Sequence, residues 1–241
     1  MTQALHVDGL HLAIGRHAVL HGIDLSLEAG EFVALIGPNG AGKTSLLRCL
    51  AGVLTPTSGC VRVGGIDMAA DPVAARQRLG LSVEPHALPP LLTVRECLAL
   101  FAGARGLEAV PSHALQLCDA LALTPMLDRW VEHCSLGTRQ KLGIVLALIG
   151  EPPLLVLDEP LNGLDPVSAH ALKQHLRQLC SARGTAVLLA THSLDMAERF
   201  TTRAVLMVDG RLHRQWPQAE LQAIRTDPQR SLEQAMIEAM T

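Results

Sequence analysis

The 241-residue sequence predicts an α/β fold built on a mostly parallel sheet. Runs of apolar residues, without the alternation of a half-exposed strand, predict strands buried on both faces. They cover residues 31–36, 154–157, 186–190 and 204–208. Segments with helical periodicity lie between them. Strands that alternate with helices favour a parallel sheet covered on both faces.

Composition limits the classes of function. Apolar residues make up 49% of the chain, which excludes a disordered protein and allows a large core. The net charge of −3 argues against a main role in binding nucleic-acid phosphates, which requires a basic face. Aromatic residues are only 2%, too few for a platform that stacks single-stranded bases. We therefore expect no nucleic-acid partner.

Cysteine spacing and hydropathy indicate a cytoplasmic location. The six cysteines are scattered without a CxxC pair, which favours reduced thiols over disulfides or a zinc site. No apolar run approaches the ~18–20 residues that cross a bilayer. The first ten residues do not place an apolar stretch after a basic one, so no secretory signal is expected.

The elements divide the chain into an α/β core with additions. Alternating apolar residues before the first buried strand predict an N-terminal β subdomain, with Ile14 near the end of its first strand. Residues 85–149 carry helical stretches near 94–104, 112–122 and 137–149, and prolines mark both ends. They predict an α-helical subdomain inserted into the core. Residues 211–241 are more polar and are expected to form a short tail beyond the last strand.

A glycine-rich loop follows the first buried strand. The segment GPNGAGKT, residues 37–44, fits G-x-x-x-x-G-K-[ST] between a strand and a helix. Glycines let successive N–H groups turn towards phosphate oxygens, Lys43 would reach the β- and γ-phosphates, and Thr44 would bind Mg²⁺. The motif predicts nucleoside triphosphate binding without specifying the chemistry. Its candidate nucleotide-binding residues are Gly37, Pro38, Asn39, Gly40, Ala41, Gly42, Lys43, Thr44 and Ser45.

Two carboxylates end the second buried strand. In the segment LLVLDEP, residues 154–160, Asp158 and Glu159 lie at a strand tip expected to be beside the phosphate loop. Asp158 is predicted to hold Mg²⁺. Strand alternation would turn Glu159 to the opposite face, where it would act as general base towards the attacking water.

Several motifs in order resemble a known family. They are GPNGAGKT at 37–44, CSLGTRQKL at 134–142, LLVLDEP at 154–160, NGLDP at 162–166 and TH at 191–192. Together they resemble the nucleotide-binding subunit of ATP-binding cassette (ABC) transporters over about residues 1–210. The resemblance implies a phosphate-loop NTPase core of ABC ATPase type, with ATP as substrate and Mg²⁺ as cofactor.

The resemblance also implies roles for residues outside the phosphate loop. Ser135, Leu136, Gly137 and Thr138 match the signature motif, which caps the γ-phosphate of ATP bound to the opposite subunit. Ser135 can also N-cap a helix that begins near Gly137. His192 matches the switch histidine that contacts the γ-phosphate. Asp165 matches the aspartate of the loop that crosses the dimer interface. The remaining histidines show no metal-ligand spacing and are expected at the surface.

Three positions depart from the family pattern. Ile14 stands where an aromatic residue usually stacks on adenine, so stacking worth roughly 1 kcal/mol is lost. Glu84 stands where the family usually carries Gln, and we predict that its carboxylate binds Mg²⁺ as the amide oxygen does. Leu136 stands where the signature motif often has Gly.

The resemblance implies an ATPase subunit that works as a head-to-tail dimer on a separate integral-membrane permease. The protein is then expected at the inner face of the membrane, and details such as VEP at 83–85 resemble the exporter branch. Apolar residues of the helical subdomain are candidate contacts with the permease, namely Leu91, Leu92, Val94, Leu98 and Phe101. A soluble ABC-type ATPase in a non-transport process is the alternative. A GTPase is disfavoured because an NKxD-like loop is absent, and a nucleotide kinase would share only the phosphate loop.

Overall fold

The computed structural model describes residues 3–227 and 229–240, so residues 1, 2, 228 and 241 of the predicted domain and tail lie outside the described residues. The strands in this part of the chain are β1 (Gln3–Ile14), β2 (His17–Glu28), β3 (Phe32–Ile36), β4 (Ser58–Val63), β5 (Ile66–Asp67), β6 (Leu79–Leu81), β7 (Leu154–Asp158), β8 (Ala186–Ala190), β9 (Arg203–Val208) and β10 (Arg211–Trp216).

Helices separate most of these strands. They are α1 (Lys43–Leu50), α2 (Pro72–Gln77), α3 (Val94–Ala104), α4 (Ser112–Ala120), α5 (Leu136–Leu148), α6 (Pro166–Arg183), α7 (Leu194–Phe200), α8 (Gln218–Thr226) and α9 (Leu232–Met240). Short 3₁₀ turns lie at Thr124–Met126 and Val131–His133. In the described ranges, no helix combines the length and the apolar character needed to span a bilayer.

The main sheet has the order β10-β9-β3-β8-β7-β6. From β9 to β6 all neighbours pair in parallel, which confirms the predicted α/β class. Strands β3 and β8 are buried along their whole length, as expected for strands covered on both faces. The carboxyl ends of parallel strands meet at one edge of the sheet. That edge brings together the segments that follow β3, β7 and β8.

A second, antiparallel sheet has the order β2-β1-β4-β5. The sequence predicts short strands within residues 1–27 and neither β4 nor β5, whereas the structure has two strands of 12 residues there, β1 and β2. Leucines of both long strands, such as Leu5 and Leu27, are fully buried in one core with Leu46 of α1. This sheet therefore supports the helix that begins at the phosphate loop.

The expectation of a tail beyond the last strand is wrong for residues 211–216. They form β10, which pairs with β9 in antiparallel orientation and places Leu212 opposite Met207. The strand lies at the sheet edge, and Trp216 is its one fully buried residue. Its sequence is therefore mostly polar and lacks the apolar pattern by which a strand is predicted. Leu221 of α8 and Leu232 of α9 join Trp216 in a core against Ile36 of β3.

Residues 85–149 contribute no strand to either sheet in the described chain. Helix α3 has the predicted bounds because a capping box starts it: Thr93 accepts from the Glu96 N–H, and Glu96 accepts from the Thr93 N–H. Apolar residues of α3 and α5 share a core with inner residues of β7 and β8, for example Leu98, Leu142, Leu157 and Leu189.

All six cysteines are free, and burial raises the pKa of Cys49, Cys97 and Cys118 to about 11.

Candidate functional site

The predicted phosphate loop joins β3 to α1. A Cβ atom at Gly37 would lie 2.0 Å from the carbonyl oxygen of Met207, so no larger residue fits there. Gly42 caps the helix with φ at 99°, in the region that favours glycine. Helix α1 begins directly at Lys43, and the N–H groups of a first helical turn lack intrahelical partners. The loop thus forms a cradle suited to phosphate oxygens.

Lys43 folds back over this loop. Its ammonium donates to the carbonyl oxygens of Gly37 at 2.7 Å and Pro38 at 3.0 Å. Burial lowers the pKa of Lys43, while the negative charges of Glu159 and Asp158 oppose that shift. A phosphate ligand would offer the ammonium a charged acceptor in place of neutral carbonyls, which is the stronger hydrogen bond.

Thr44 and Asp158 come together although they lie far apart in the sequence. The Thr44 hydroxyl donates to the Asp158 carboxylate at 2.6 Å, and the Asp158 N–H donates to the Ser82 hydroxyl at 3.2 Å. Burial raises the pKa of Asp158, and the hydrogen bond from Thr44 opposes the shift. A hydroxyl and a carboxylate are oxygen ligands of the kind Mg²⁺ prefers, so these residues fit the metal. Ser82 was not a candidate in the sequence.

Glu159 and His192 form the second close pair. The Nδ1 atom of His192 lies 3.0 Å from a carboxylate oxygen of Glu159. Strand β7 ends at Asp158, and Glu159 has φ at 44° while its N–H donates to the Ala190 carbonyl. The sequence predicted that strand alternation would set the direction of the Glu159 side chain. That reason is wrong, because Glu159 lies beyond the end of β7. The bend after β7 and the neighbouring end of β8 direct it to His192.

The signature-like residues form the start of α5. Ser135 accepts a hydrogen bond from the Thr138 N–H at 3.1 Å, which confirms the predicted N-cap. Ser135 is exposed, and Leu136 is 62% exposed. A Cβ atom at Gly137 would lie 2.6 Å from the Gly163 carbonyl oxygen, so α5 requires glycine where it approaches the NGLDP segment.

Asp165 connects this region to α6. Its carboxylate caps α6 by accepting from the Ser168 N–H at 2.9 Å and pairs with the Lys141 ammonium at 2.8 Å. The hydrogen bond from Lys141 and those from Ser168 lower the pKa of Asp165. Lys141 lies on α5, so the pair fixes the start of α6 to the helix that carries the signature-like residues.

Ile14 and Glu84, the other two positions that depart from the family pattern, lie in different surroundings. Ile14 ends β1 and is 53% exposed. The carboxylate of Glu84, predicted as a Mg²⁺ ligand, accepts from the Arg48 guanidinium at 2.7 Å and lies 3.2 Å from Nε2 of His86. Arg48 was not a candidate in the sequence, because an ion pair between two distant residues has no local pattern.

Four of the remaining histidines, His6, His21, His113 and His175, are only partly exposed, contrary to the expectation that all lie at the surface. His175 on α6 is partly buried, and burial lowers its pKa, with the positive charges of His113 and Arg183 adding to the effect. It lines a cavity of about 720 Å³ between α4, α6 and the turn before β7. This cavity lies at the opposite end of β7 from Asp158.

Comparisons with known proteins agree with the geometry. The family model described as "ABC transporter" matches residues 20–162. An uncharacterized ABC transporter ATP-binding protein of Bacillus subtilis is 36% identical over 97% of this chain and 73% of its own length. A Nod factor export ATP-binding protein of Burkholderia lata is 38% identical over 82% of this chain and 65% of its own length. A phosphonates import ATP-binding protein of Hyphomonas neptunium is 37% identical over 87% and 82%.

Solved structures show the same fold. The structure of an ATP-binding subunit of an ABC transporter has a TM-score of 0.88 and 31% identity, over 99% of this chain and 100% of that one. The dimeric structure of a bacterial ABC transporter cassette has a TM-score of 0.81 and 25% identity, over 89% and 98%.

Proposed function

This chain belongs to the ABC transporter family of ATP-binding proteins, and we propose that it hydrolyses ATP to drive transport through a separate integral-membrane permease. The observation that carries the proposal is the convergence of two close pairs at one sheet edge. Thr44 with Asp158, and Glu159 with His192, lie at the carboxyl ends of neighbouring strands beside the phosphate loop.

The chemistry follows from these side chains. Lys43 and the loop N–H groups would bind the phosphates, and Thr44 with Asp158 would hold Mg²⁺, which supplies positive charge to the phosphate oxygens. Glu159 would accept a proton from the water that attacks the γ-phosphorus, as the bond to the ADP oxygen breaks. His192, at 3.0 Å from Glu159, would orient the carboxylate and donate towards the γ-phosphate.

We propose a head-to-tail dimer as the active form. Ser135 and the N-terminus of α5 are exposed, and a capped helix N-terminus suits the γ-phosphate held by a second copy. The dimeric cassette among the similar structures supports a dimer as the active form. Closure of the dimer on ATP and its opening after hydrolysis would then move the permease.

The proposed contact with the permease lies on the helical subdomain. Leu91 is 68% exposed and Leu92 and Phe101 are partly exposed, whereas Val94 and Leu98 are buried core residues. Of the candidates from the sequence, the exposed ones remain in the proposal. Such a contact would hold the protein at the inner face of the membrane.

We propose export as the direction of transport. Similarity to Nod factor export proteins supports it, while a phosphonates import protein of similar identity favours the opposite direction. The test is to purify the chain from native membranes and identify the integral-membrane protein bound to it. ATP-driven flux through the reconstituted complex then reports the direction. Recovery with a soluble partner alone would contradict the proposal and favour a non-transport ATPase.

A further inference from the structure

An ion pair ties the phosphate-loop helix to the entrance of the helical subdomain. Arg48 lies in the last turn of α1, and its guanidinium donates to Glu84 at 2.7 Å. Glu84 follows β6 in the segment that leads to α3. Its other carboxylate oxygen lies 3.2 Å from His86.

The ion pair lies next to the candidate metal site. Arg48 is one turn after Thr44 on α1, so the two side chains share a helix face, and Thr44 donates to Asp158 at 2.6 Å. Glu84 lies two residues after Ser82, whose hydroxyl accepts from the Asp158 N–H at 3.2 Å. Three carboxylates therefore act on a site that must bind an anionic triphosphate. A neutral amide, which the family usually carries at the Glu84 position, would not add to this repulsion.

We propose that Arg48 is a positioning residue that neutralises Glu84 and holds its carboxylate against α1, so that the site tolerates a third acidic side chain. The inference rests on the proposed nucleotide binding. The side chains of Arg48 and Glu84 are 43% and 36% exposed, so water screens the pair in part and its effect is moderate.

The test is a double-mutant cycle on the full chain. The readout is the Kd for a fluorescent ADP analogue, measured without divalent cations and again with Mg²⁺. Arg48→Met should weaken binding about fivefold, because Glu84 is left uncompensated near the phosphates. In the Glu84→Gln background, Arg48→Met should change the Kd less than about twofold. Arg48→Lys, which keeps the charge, should bind as the wild type does.

A second pair serves as the matched control. Arg95 of α3 pairs with Asp128 at 2.8 Å on the helical subdomain, and both side chains are well exposed. Arg95→Met and Asp128→Asn should leave the Kd unchanged. If Arg48→Met unfolds the protein, the charge-reversed pair Arg48→Glu with Glu84→Arg replaces it and should bind nucleotide more tightly than Arg48→Glu alone.

The outcomes separate this inference from the proposed function. A wild-type chain that binds no nucleotide would contradict the proposed function and the inference with it. A wild-type chain that binds, with Arg48→Met equal to wild type or with the same loss in the Glu84→Gln background, would overturn the inference alone.

Discussion

The imidazole of His192 contacts the carboxylate of Glu159 at 3.0 Å, across the ends of two neighbouring parallel strands. The Glu159 N–H also donates to the carbonyl of Ala190, which lies two residues before His192, so the backbone of β8 holds the proposed base in place. Backbone and side chain therefore hold Glu159 in one position. A general base held in this way needs no reorganisation when water arrives.

Loss of the imidazole should slow hydrolysis more than it weakens binding. His192→Ala removes the group that orients Glu159, and the rate constant for hydrolysis in a single turnover should fall about 10²-fold. The Kd for ATP should change only a few-fold because the phosphate loop is intact. An unchanged single-turnover rate would show that His192 does not assist Glu159.

Substitutions of Lys43 and of Ser135 should distinguish nucleotide binding from dimer closure. Lys43→Ala should weaken nucleotide binding to the isolated subunit by roughly 1.5–3 kcal/mol, because a charge-assisted contact is lost. Ser135→Arg should leave that binding intact and block the ATP-dependent dimer. Titration of each variant with a fluorescent nucleotide checks this. Equal loss of binding in both variants would contradict the head-to-tail arrangement.

Ile14 should allow the site to bind adenine and guanine nucleotides with similar affinity. With an aliphatic side chain at the end of β1, the affinities for ATP and GTP should lie within about tenfold, ~1.4 kcal/mol. Ile14→Tyr should tighten ATP binding by restoring a stacking ring. Competition titrations with ATP and GTP measure both affinities. An unchanged ATP affinity in Ile14→Tyr would show that the adenine ring does not lie against residue 14.

The free energy of unfolding should decrease in mild acid because His175 is partly buried. Burial lowers its folded-state pKa below 6.5, and Arg183 and His113 also disfavour its protonation, whereas Glu151 faces His113. The unfolded chain therefore binds more protons below pH 6.5, and the free energy of unfolding decreases as pH falls through that range. Urea unfolding at pH 8 and pH 5.5 should show a smaller loss for His175→Gln. An equal loss in both proteins would exclude His175 as the cause.

Strong local patterns made the core and much of the candidate site predictable. The phosphate loop, the end of β7 and the Ser135 cap are each set by a few consecutive residues, so the sequence predicts them directly. Helix α3 has the bounds predicted from the helical stretch near 94–104, and the structure shows a local capping box of Thr93 and Glu96 at its start.

Long-range features were not predictable in the same way. Strand β10 is polar because it lies at an edge, and only its pairing with β9 identifies it. The contacts of Asp158 with Ser82 and of Glu84 with Arg48 join residues from different strands and helices. The positive φ of Glu159 depends on the bend after β7, which no pattern of alternation shows.

We propose that Glu159 is the general base of an ATP-driven dimer. The decisive measurement is the molar mass of the Glu159→Gln variant, by light scattering after size-exclusion chromatography with and without ATP. The amide cannot accept the proton of water, so ATP should persist and hold a dimer that is absent without nucleotide. A monomer at saturating ATP, or hydrolysis at the wild-type rate, would show that Glu159 does not have this role.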